Sequence, residues 1–137
     1  MPPNGSQAVG SVSMSYNDVT NMFDMAVLVA GIAQTDLIAS HIHQGPAGVN
    51  GPVIFNIGPG SDYTQTPNGL MRILQNAGPL PESNEVFLLS CRNYVNIHTA
   101  QFPGGEIRGQ LTVVPEPATT VVVTMGLGLL AARRRRR

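Results

Sequence analysis

Three histidines are the residues of this 137-residue chain whose type and spacing point most directly to chemistry: His41, His43 and His98. A neutral imidazole offers a lone pair to a metal ion and titrates close to neutrality. Residues i and i+2 of a strand share a face. On that rule His41 and His43 point together, away from Ile38 and Ile42, while His98 points with Tyr94 and Asn96, away from Val95 and Ile97. If the aliphatic faces build the core, all three rings stand on the opposite, more polar side. A His-x-His pair joined by a third histidine from another strand is a donor set suited to Zn or Cu. The same rings admit a second reading, because a neutral imidazole both donates and accepts hydrogen bonds. In that reading they bond loop backbones and hold the glycine-rich loop Gln44 to Gly51 in place. Both readings stay open at the level of sequence.

Other chemistry-bearing residues are sparser. Glu106, Arg108 and Gln110 alternate along one segment, where Glu106 or Arg108 is placed to bond across to Asn96 or His98. Glutamate and histidine are common acid–base actors, yet no nucleophile-and-base pair and no phosphate-binding loop accompanies them, so cross-strand support is expected and no catalytic residue is assigned. Cys91 stands alone, which excludes an intramolecular disulfide. It is expected as a small buried residue at a helix end. Met14, Met22, Met25 and Met71 read as core filling, since none lies beside the histidine motifs. Asp18 and Asp62 have oxygen-bearing neighbours, but neither loop has the ordered ligand series of a Ca²⁺ site.

The elements that must position these residues are short. Alternation from Gln7 to Tyr16 predicts a strand, Asn17-Asp18 a turn, and Phe23 to Gly31 a second strand paired with the first. Leu37 to His43 is a third, Pro52 to Ile57 a fourth with its proline at the entry, and Leu70 to Leu74 a fifth. Gly58 to Gly69 reads as a long polar connection. Ser83 to Cys91 is the one helix expected in the body, packing Val86, Leu89 and Phe87 inward. Tyr94 to Thr99 and Glu106 to Val113 form a hairpin-like pair across Pro103-Gly104-Gly105, where glycine suits positive φ. Six or seven such strands predict an all-β, antiparallel β-sandwich in two layers, immunoglobulin-like or superoxide-dismutase-like, with one short helix.

Composition separates the chain into two parts. There is no lysine, and five of the eight arginines are the terminal run Arg133, Arg134, Arg135, Arg136 and Arg137. Residues 1–114 hold three arginines against seven acids, a net charge of −4. An acidic body without clustered cations is a poor nucleic-acid binder. Before the arginines lies an uncharged run of 15 residues, Ala118 to Ala132, preceded by Pro115-Glu116-Pro117. As a helix that run is about 22 Å long, short of the ~30 Å hydrocarbon core but able to span with local thinning or snorkelling. The positive-inside rule keeps the arginines cytoplasmic and places the body across the membrane. The division expected is 1–113 as a sandwich domain and 114–137 as a separate C-terminal segment with a transmembrane helix.

That segment resembles the PEP-CTERM sorting signal of bacterial exopolysaccharide-associated secreted proteins, with Val114-Pro115-Glu116-Pro117 on the motif. The resemblance implies recognition by an exosortase, a membrane transpeptidase-like enzyme, and cleavage near Pro115. It makes the helix a removable address and Glu116 part of the recognition element. The blocks HIHQGPAGVNGPVIFNIG (residues 41–58) and YVNIHTAQFPGGEIRGQL (residues 94–111) resemble the two signature stretches of the CHRD domain, first described in chordin. Members of that family usually open with a strand ending in Val-Pro-Pro, matched here only by Met1-Pro2-Pro3. Residues 1–6 show no basic or apolar signal-peptide region, so a start codon upstream is expected. Together these resemblances imply an extracytoplasmic protein, anchored as a precursor and then secreted or held at the cell surface. It is expected to be non-enzymatic and without a cofactor, with exosortase and exopolysaccharide as partners. The alternative is a Zn- or Cu-binding protein using His41, His43 and His98.

Overall fold

The computed structural model describes residues 4–113. Eight strands appear in four consecutive pairs. Strands β1 (Val9–Asn17) and β2 (Met22–Ala30) form the first pair, and β3 (Leu37–Gln44) and β4 (Val53–Asn56) the second. Strands β5 (Thr64–Thr66) and β6 (Gly69–Ala77) form the third, and β7 (Asn93–Thr99) and β8 (Ile107–Gln110) the fourth. Successive pairs alternate between two antiparallel sheets, ordered β1-β2-β6-β5 and β4-β3-β7-β8. A 3₁₀ turn, Glu82–Asn84, runs into the short helix α1 (Glu85–Leu89) between β6 and β7.

The two sheets share one core because their central strands each turn apolar side chains to the inner face. β2 contributes Phe23, Met25, Val27 and Val29; β3 contributes Leu37 and Ile42; β7 contributes Val95 and Ile97. Ile57, Tyr63, Leu70, Leu80, Leu88 and Leu111 complete the interior, and Phe23 meets Phe55 edge-on across it at 4.9 Å between ring centroids. Burial of these side chains supplies the main driving force for stacking the layers. The expected antiparallel sandwich with one short helix is therefore present.

Several details differ from the sequence reading. The connection from Gly58 to Gly69 is not unstructured: it contains a 3₁₀ turn, Gly60–Asp62, and the edge strand β5. Three polar residues, Thr-Gln-Thr, carry no hydrophobic period that would reveal a strand. In α1 the inward residue is Leu88, 8% exposed, whereas Val86 and Leu89 are 63% and 56% exposed. The helix has barely more than one turn, so only one residue faces the core. A register shift between Leu37 and Ala39 turns Leu37 inward and leaves Ile38 half exposed. That bulge breaks the alternation that had grouped Ile38 with Ile42. β8 is shorter than expected, ending at Gln110. Cys91 is only partly buried and has φ +57°, the left-handed residue just beyond α1.

No helix among the described residues is long and apolar enough to cross a membrane. The C-terminal helix, the sorting motif Val114 to Pro117 and the arginines Arg133 to Arg137 lie outside the described residues.

Candidate metal centre

β3 and β7 are hydrogen-bonded neighbours, and their pairing places His41 opposite Asn96, His43 opposite Tyr94, and His98 opposite Ala39. The faces follow the alternation expected. Ile42, Val95 and Ile97 enter the core, and the three imidazoles stand on the outer face of the sheet. His43 and His98 sit at opposite ends of this register, yet their ring centroids are only 6.1 Å apart. Both rings lean toward the middle, where His41 lies 5.6 Å from His43 and 5.1 Å from His98.

Each ring offers one nitrogen, and these atoms lie within 4.8 Å of one another. Hydrogen bonds determine which nitrogens are free. His43 Nδ1 is 2.9 Å from the Gly51 carbonyl oxygen, and His98 Nδ1 is 2.9 Å from the Pro103 carbonyl oxygen. A carbonyl only accepts, so both Nδ1 atoms carry a proton, and in the neutral ring the lone pair is on Nε2. Those Nε2 atoms, together with His41 Nδ1, are shielded from solvent and have no hydrogen-bond partner. Three buried, partnerless nitrogens on three neighbouring rings leave unmet polar capacity at this place. A metal-ligating histidine commonly donates its other N–H to a backbone carbonyl in this way.

Electrostatics point in the same direction. Burial, and then the neighbouring His98 and His43 rings, hold the His41 pKa below its ordinary 6.5. A neutral His41 is the form that can donate a lone pair.

The supporting residues come from two loops and β8. Gly51 lies at the end of the Gln44 to Gly51 loop, and a Cβ there would overlap the Gln44 carbonyl oxygen. Its N–H donates to the Tyr94 hydroxyl at 3.1 Å, while the Tyr94 ring stacks on His43 at 4.9 Å and 7°. The Arg108 guanidinium lies 3.3 Å over the Tyr94 ring and donates to the Pro46 carbonyl. Gln110 donates to the carbonyls of Gly45 and Cys91. On the other side, Gly105 has φ +117° and packs against the buried amide of Asn96, which donates to the Gly104 carbonyl at 3.4 Å.

The histidine trio is the set nominated by sequence, and the reading in which the rings bond loop backbones and hold the Gln44 to Gly51 loop is met by His43 on the Gly51 carbonyl and His98 on the Pro103 carbonyl. Which carbonyls accept carried no signal, because a loop backbone has no sequence period to announce what it binds. Tyr94 had one signal, its position on the same strand face as His98. Glu106 gives the cross-strand support expected but through other partners: it accepts from Thr99 Oγ1 of β7 at 2.6 Å and from Ser6 Oγ at 2.5 Å, and bonds to neither Asn96 nor His98. Arg108 likewise reaches the glycine-rich loop instead of His98. Asp62 pairs with Arg72 at 3.6 Å, a structural engagement for one of the isolated acids.

No curated protein and no solved structure matches this chain. The PEP-CTERM protein-sorting motif matches residues 113–137, which implies processing by an exosortase outside the cytoplasm. The CHRD domain matches residues 1–111, and a match over that share of the sequence means that the chain belongs to the CHRD-domain family.

Proposed function

We propose that this is a non-enzymatic, extracytoplasmic module that binds one Zn²⁺ or Cu²⁺ ion on the outer face of its sandwich. The observation behind the metal reading is that His41, His43 and His98 each bring one nitrogen within 4.8 Å of the others, and that each ring has a shielded nitrogen without a partner. An all-nitrogen donor set of this kind suits Zn and Cu better than Ca²⁺ or Mg²⁺, which take oxygen ligands. The precursor is held in the membrane by residues 118–132, with Arg133 to Arg137 on the cytoplasmic side, until exosortase cuts near Pro115-Glu116-Pro117. The mature module then stays at the cell surface or in extracellular polysaccharide.

Metal analysis of the purified full-length protein, compared with His98→Ala, tests the site. About one equivalent of tightly held Zn or Cu in the wild type, lost in the variant, is expected; the absence of any stoichiometric ion removes the reading. Intact mass of the exported form tests the sorting route, since cleavage removes roughly the last twenty residues and an uncut chain contradicts it.

A second reading, a purely structural role for the three rings, is favoured by the two loop contacts alone. The bonds His43 to Gly51 and His98 to Pro103 also tie down the loops in the absence of any ion. Equal thermal stability with and without added Zn²⁺ would select it.

A further inference from the structure

We infer that Arg108 and Tyr94, which do not contact the three ring nitrogens, are positioning residues that set the geometry of this metal site through His43; the inference rests on the metal reading above. His43 is held by two constraints that meet at the same place. Its Nδ1–H points at the Gly51 carbonyl, and its flat face lies on Tyr94 at an interplanar angle of 7°. Tyr94 closes a circuit, because its hydroxyl accepts from the N–H of the same Gly51. The ring therefore fixes the orientation of His43 and the place of the carbonyl that assigns its tautomer.

Arg108 completes the stack. One face of Tyr94 is taken by His43, so the guanidinium 3.3 Å from the ring centroid occupies the other. From there its two terminal nitrogens reach the Pro46 carbonyl at 2.9 Å and Asn50 Oδ1 at 3.4 Å. Those acceptors bracket the loop that ends in Gly51. A planar fork can lie flat on a ring and reach two acceptors at its edge in fixed geometry, which a compact lysine ammonium does not reproduce. Tyr94 is 1% exposed although it belongs to the outer face, so Arg108 and the loop cover it.

The site thus has a defined outer layer, and loss of such a layer commonly weakens metal affinity by about 10–100-fold. Full-length protein in mild detergent is titrated with Zn²⁺ and Cu²⁺, and the Cu²⁺ form is examined by electron paramagnetic resonance. Arg108→Gln is expected to lose about 10–100-fold in affinity, with a changed Cu²⁺ spectrum and an unfolding midpoint in the metal-free state near that of the wild type. Arg108→Lys should restore little of the loss. Tyr94→Phe keeps the stack and drops only the Gly51 bond, so a smaller loss is expected there, and this variant reports on the circuit even if Arg108→Gln fails to fold. Wild-type affinity and spectrum in both variants would overturn the inference while leaving the metal reading intact. A wild type that binds no ion at all would overturn both.

Discussion

Gly51 shows how much rests on a residue with no side chain. Its carbonyl accepts from His43, its N–H donates to Tyr94, and its Cα sits against the Gln44 carbonyl. The obstacle to a Cβ is backbone, which cannot swing aside. Gly51→Ala is expected to displace the loop and weaken ion binding as strongly as loss of a ligand, read out by Zn²⁺ titration. His41 gives a prediction in pH. Its folded pKa lies below the ordinary 6.5, through burial first and then its two histidine neighbours. In the metal-free protein the unfolded chain therefore binds more protons than the native one once pH falls below 6.5. The His41 contribution is neutral above that value and becomes destabilising as pH falls from it toward the lowered folded value. Urea unfolding of metal-free protein between pH 7.5 and 5 should show this loss, and His41→Asn should flatten the slope. A profile unchanged by the substitution would contradict the assignment.

At the scale of elements, legibility followed length and regularity. β2, β3 and β7 each present at least seven residues with an alternating pattern or a distinctive motif, and each was readable from sequence. Their facing also placed His41, His43 and His98 on one side correctly, since a strand has only two faces. β5 has three polar residues and gave no signal, and the bulge at Leu37 to Ala39 escaped notice because an inserted residue changes the face without changing composition. α1 was located but rotated: Val86 and Leu89 were expected inside, and Leu88 occupies that place. That the histidines would bond loop backbone was legible, but the particular carbonyls, Gly51 and Pro103, were not, being main-chain atoms brought close by tertiary folding. The α1 correction is testable. Leu88→Ala should cost about 2–5 kcal/mol in urea unfolding as a buried large-to-small change. Val86→Ala and Leu89→Ala should stay within about 0.5 kcal/mol. Comparable losses at all three positions would mean that the helix packs otherwise.

For the whole molecule, an ion that binds the folded chain and not the unfolded one must raise stability by mass action. At a free concentration of 100 times Kd the increment is about 2.7 kcal/mol, and for Zn²⁺ it should appear as a concentration-dependent rise in Tm that a chelator reverses. A Tm indifferent to Zn²⁺ and chelator alike would argue for the purely structural reading. β7 adds a consequence of its own. The same seven residues turn Val95 and Ile97 toward the interior and Tyr94, Asn96 and His98 outward. Backbone displacement caused by trimming Ile97 to valine, a change of about 0.5–1.5 kcal/mol in a core, has no route that bypasses the histidines. An ion seated there would act as a strain gauge for the hydrophobic layer beneath it, reporting small repacking events inside the protein as shifts in its own coordination spectrum.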